Sequence, residues 1–187
     1  MPSERQPSPY VVFGITNQPL GCTVPPVDAQ PQQPLPDAGP FLRVCAGGQE
    51  PTTALLRCAR ELDGEWRHVH EHGGNASAEV NEQLNLLIWL IDREAGGHTS
   101  GIVFEADAPV LPSSYGDWVA RLMWKSVLYA LRQYEPEHHE RDATELMACV
   151  RTFDQLVADV QAGRVRLPEQ AGASRPRVGR PRGEDVT

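Results

Sequence analysis

Lysine is almost absent from this chain: Lys125 stands alone among 17 basic residues. An arginine bias of that kind fits a GC-rich genome better than a chemical requirement. Ligand-type cysteine spacing is missing as well. Cys22, Cys45, Cys58 and Cys149 lie far apart, with no C-x-x-C and no histidine at finger spacing, so no structural zinc pattern is present. The opening MPSERQPSPY has no basic stretch followed by an apolar one, and no secretory leader is read from it. The longest apolar run, LLIWLI, is far below the roughly 20 residues that cross a bilayer. No G-x-S-x-G elbow exists for serine-type acyl transfer. These absences predict a cytoplasmic protein with reduced thiols, no membrane association and no cofactor.

Broad cation-driven binding is also poorly supported. The chain carries a net charge of −8. Between residues 52 and 170 there are 19 Asp and Glu against 11 Lys and Arg, while residues 171–187 carry four Arg against Glu184 and Asp185. An acidic body of this kind argues against nucleic acid, whose phosphates need clustered cations.

What is present is helical patterning. Residues 1–51 are rich in proline and glutamine and read as an extended arm and linker, with YVVFGI (10–15) able to pair as a strand or dock. From Thr52 the pattern changes. Leu55, Leu56, Ala59, Leu62, Trp66 and Val69 recur at three- and four-residue steps behind a threonine cap. A second helix opens with Ser77 as its cap and Glu79 and Glu82 in the first turns, and GGHTSG stops it. GIVFEADAPVLPSS reads as a loop with one short extended piece. YGDWVARLMWKSVLYALRQY reads as a third helix, and EPEHHERDATELMACVRTFDQLVADVQAGRVRLP gives the fourth, closed by Gly163 and Pro168. The expected architecture is all-α: a four-helix bundle-like domain over 52–170, a proline-rich N-terminal arm, and a disordered basic C-terminal tail over 171–187.

The second helix raises the functional question. On a wheel with Glu79 at zero, Asn81, Asn85 and Asp92 fall at about 200°, 240° and 220°, while LLIWLI fills the rest of the circumference. A helix apolar nearly all round is buried on most faces. The three polar residues therefore predict one inward stripe, either a structural network or the wall of a ligand pocket. Arg121 on the third helix is the expected partner of Asp92, because a guanidinium makes the strongest pairing with a carboxylate.

The same residues carry a resemblance. NEQLNLLIWLID is similar to the most recognisable helix of an uncharacterised all-helical bacterial domain family, of the domain of unknown function 4254 type. Asn81, Asn85, Ile91 and Asp92 match that helix. Gly116, Val119, Arg121 and Leu122 resemble the family's Gly-x-x-hydrophobic-Asp-Arg-Leu segment, Trp66 its first-helix tryptophan, and FDQLVADVQAGRVRLP its closing helix. The chain departs from the pattern at Ala120, where the family has Asp; at Leu84, often Arg; and at Val69–His70, an acidic pair there. The family has no established activity, so the resemblance implies a fold and a candidate face over about 52–168 and no chemistry.

Three other constellations bear on function. Glu65, His68 and His72 share a helical face at a spacing that can chelate a metal, against the plainer reading of a solvated helix end. Glu79-x-x-Glu82 is half of the paired-carboxylate pattern that holds Mg²⁺ in helical pyrophosphatases, and the second acidic pair is missing. Arg177, Arg180 and Arg182 flank Gly179 and Pro181 in a form like a minor-groove hook. The leading expectation is a non-enzymatic module binding a protein, a second copy of itself or a small ligand. The alternatives are a metal-assisted hydrolase, possibly nucleotide-directed, using Glu/His residues of the first two helices, and a DNA-associated protein contacting the minor groove through its tail.

Overall fold

A computed structural model describes residues 28–30 and 33–168. Among them are five helices and no strand: α1 (Ala38–Cys45), α2 (Ala54–Glu71), α3 (Ala78–Thr99), α4 (Tyr115–Arg132) and α5 (Pro136–Gln161). The all-α, bundle-like architecture expected from the periodicity is present. No helix of the described residues is long and apolar enough to cross a membrane.

The helix starts follow local chemistry. Thr53 caps α2 through the Leu56 amide, and Ser77 caps α3 through that of Val80. Ser114 and Asp117 close a reciprocal capping box at α4, satisfying two amides that a helix start otherwise leaves open. At the end of α5, Gly163 adopts φ +73°. A side chain there would lie 2.4 Å from the Val103 carbonyl oxygen, so glycine is required by conformation and by space.

Two expectations are corrected. The domain does not begin at residue 52. α1 lies within the stretch read as linker, and its Phe41, with no exposed surface, packs against Tyr115 and Phe153 at the centre of the core. An eight-residue helix with Pro40 in its first turn carries too few apolar positions to show a period, although proline is tolerated there. Secondly, α3 runs through Gly96 and Gly97 to Thr99. Each glycine costs a helix about 0.5–1 kcal/mol relative to alanine. That cost is offset because Ala95 and His98 are buried and the Thr99 hydroxyl donates to the Ala95 carbonyl at 3.0 Å.

The loop 100–114 contains the expected short extended piece. Val110 forms an isolated parallel bridge with Arg166, with the Leu111 amide donating to the Arg166 carbonyl at 2.9 Å. The Glu105 amide donates to the Gly163 carbonyl at 2.9 Å. These bonds tie the loop to the turn after α5, beside the start of α4.

Candidate docking groove

The predicted inward stripe does not form as an inward stripe. Asn81 and Asn85 are exposed, and so is Arg121. Asn81 bonds locally, its amide nitrogen donating to the Ala76 carbonyl at 3.3 Å. Asp92 is half-buried, but its partners are at the start of α4: the Gly116 amide donates to its Oδ1 at 2.6 Å and the Ser114 side chain bonds to it. Arg121 stacks over the Trp118 ring, 4.8 Å from its centroid. The three polar residues do share one face of α3, and it is not the buried one. The buried residues Leu84, Leu87, Ile91, Glu94, Ala95 and His98 occupy an arc of roughly 60–160°. Leu86, Trp89 and Leu90 lie outside it and are half-buried.

The inward polar groups of α3 are Glu94 and His98, one turn apart. Glu94 accepts from the amides of Asp28 and Ala29 at 2.8 and 3.1 Å, and His98 Nδ1 lies 3.1 Å from the Gln33 carbonyl. Further along the same segment, Gln161 donates to the Leu35 carbonyl and the Tyr115 hydroxyl to that of Pro36. Side chains of α3, α4 and α5 thus hold the extended stretch before α1 by its main chain. In sequence the Gly96–Gly97 pair reads as a helix stop, whereas α3 continues to Thr99 and carries His98 into this pairing.

The chelating set does not converge. Glu65 is half-buried, while His68 and His72 are exposed. The two rings stack on each other with centroids 4.1 Å apart, and His72 Nδ1 contacts the His68 carbonyl at 2.8 Å. Glu79 and Glu82 are exposed. The described residues that do cluster as metal ligands are Glu135, Glu137 and His138. They sit at the start of α5, where the helix dipole opposes a cation. Arg177, Arg180 and Arg182 lie outside the described residues, as does the 10–15 segment. Burial pushes the thiols of Cys45 and Cys58 up to about 12, so neither is a ready thiolate nucleophile.

A concave feature of the described surface lies between α4, α5 and the tied loop. It is an open groove of about 440 Å³. Its apolar walls are Leu111, Trp118, Leu156 and Val165, and its polar rim includes Arg151, Gln155 and Asp159. Asp159 is already engaged: Arg164 Nε donates to its Oδ1 at 2.9 Å and Gln155 at 3.0 Å. The Arg164 hydrogen bond is the main reason its carboxyl sits below the ordinary aspartate range. Arg151 is exposed and has no ion-pair partner among the described residues.

No family model, no curated protein and no solved structure matches this chain.

Proposed function

We propose that the chain is a non-enzymatic interaction module that takes a short apolar segment of another protein into the groove beside Trp118. The observation that carries this reading is the combination of four apolar walls, one each from the 100–114 loop, α4, α5 and the turn after α5, with an open, water-facing mouth. Concave, mostly apolar surfaces with a few fixed polar groups are where ligands and peptides dock. Tryptophan and arginine are the side chains that most often anchor such contacts. The free thiols of Cys45, Cys58 and Cys149 support a reducing, cytosolic setting.

We also keep the kinship with the uncharacterised helical family as a proposal. Its support is that matched positions meet at one helix crossing: Asp92 bonds Gly116, and Ile91, Val119 and Leu122 are fully buried. The hydrolase reading gains no comparable support, since among the described residues its candidate ligands form no group of three within reach of one ion.

Peptide display tests the docking reading. A random 16-residue library is selected on the immobilised full chain, with the Trp118→Ser variant as counter-target. Peptides with two or more large apolar residues are expected to be retained by the parent and lost by the variant. Equal recovery from both proteins would contradict a groove-based function.

A further inference from the structure

The groove's electrostatics define the partner more narrowly. Down the α4–α5 seam, the cations of α4 are answered by carboxylates of α5, with one exception. Arg132 holds Asp142 through two hydrogen bonds of 2.9 and 2.7 Å, and Lys125 holds Glu145. Arg121 has no carboxylate partner among the described residues and lies over the Trp118 ring instead. Among the α5 residues lining the groove, Asp159 is taken up by Arg164, while Arg151 is a second cation without an acid among the described residues. One guanidinium without an acid, Arg151, thus lines the apolar groove, and a second, Arg121, lies over its Trp118 wall, on a chain whose net charge is −8.

We infer that the groove selects a peptide segment in which large apolar residues adjoin an aspartate or glutamate. The inference rests on the docking reading above. Apolar side chains would cover Leu111, Trp118, Leu156 and Val165, and the neighbouring carboxylate would bridge Arg121 and Arg151 in the forked geometry that guanidinium offers. The Trp118 ring holds the Arg121 guanidinium in place before binding, which lowers the ordering cost of the contact. The surrounding acidity sharpens the choice. An acidic segment is repelled from most of this surface and accepted at the two arginines, whereas a basic segment is attracted elsewhere and refused here.

The test presents the same random 16-residue library to the parent chain and to the Arg121→Gln/Arg151→Gln double variant, both checked for native helicity by circular dichroism. Both replaced side chains are exposed, so the fold is expected to be retained. Peptides kept by the parent are expected to be enriched in Asp and Glu beside large apolar residues. Replacing those acids with Gln or Asn in synthetic peptides should weaken binding by roughly three- to ten-fold in fluorescence anisotropy at low salt, the range set by two exposed charge contacts. The double variant should show the same loss with the acidic peptide and no further loss with its amide form. If apolar peptides are selected with no enrichment of acids, or if the double variant binds them equally, the acid preference is overturned while the groove reading stands. If neither protein retains peptides above the Trp118→Ser background, both readings fall.

Discussion

Asp92 Oδ1 and the Gly116 amide meet at 2.6 Å where α3 crosses the first turn of α4. The approach is close because Gly116 has no side chain: a Cβ there would lie 2.5 Å from the Ile88 carbonyl oxygen and 3.0 Å from Asp92 Oδ1. The obstructing atom at Ile88 is backbone and cannot swing away. Gly116→Ala is therefore expected to lower stability by about 1–3 kcal/mol through overpacking, read as a reduced urea midpoint at unchanged slope.

Asp92 itself should behave unlike an acid paired with arginine. Burial raises its carboxyl above the ordinary aspartate range, partly opposed by the hydrogen bonds from Gly116 and Ser114. The folded state then holds the proton more tightly than the unfolded chain. Its contribution is fully present below the unfolded value of about 4 and is lost as pH rises through the folded value. Asp92→Asn keeps an acceptor oxygen and removes the charge. At pH 7 it should match or exceed the parent in stability, and parent-minus-variant stability should fall as pH rises above the unfolded value of about 4. Asp92→Leu removes the acceptor and should be destabilising throughout.

The strap before α1 is held by Glu94, which accepts two main-chain amides at once. Glu94→Ala strips both amides of their acceptor, a loss on the order of 1–3 kcal/mol. Limited proteolysis should then cut near Asp28 at a rate that the parent does not show. Unchanged cleavage kinetics would mean that the strap does not depend on this carboxylate.

Asp142 and Arg132 form the most buried ion pair among the described residues, with side chains 2% and 16% exposed. Asp142→Ala should cost about 3–5 kcal/mol, because it leaves a desolvated guanidinium unpaired. Glu145→Ala, whose partner Lys125 is more exposed, should move the denaturation midpoint far less. Chemical denaturation of the two variants separates a core pair from a surface pair.

The sequence revealed what local chemistry controls. Thr53, Ser77, Ser114 and Gly163 mark helix ends by hydrogen-bonding and backbone rules that act within a few residues, and each acts at a helix end in the structure. α1 escaped because eight residues with Phe41 and Val44 as anchors show no period. Gly96–Gly97 looked like a stop, since the burial of His98 beneath the strap is a long-range effect. The Asn81–Asn85–Asp92 stripe was placed correctly on the wheel and assigned to the wrong side. α3 leaves Leu86, Trp89 and Leu90 half-buried, so apolarity all round did not imply burial all round. The groove was not legible at all: its walls come from residues 111, 118, 156 and 165, which only the tertiary fold assembles.

The most direct test of the docking surface uses the chain's four tryptophans as reporters. In a ¹⁵N-labelled sample, titration with the tightest acidic display peptide should shift the indole N–H resonance of Trp118. Those of Trp66, Trp89 and Trp124, outside the groove lining, should hold still. A titration that moves another indole and leaves Trp118 in place would contradict the account.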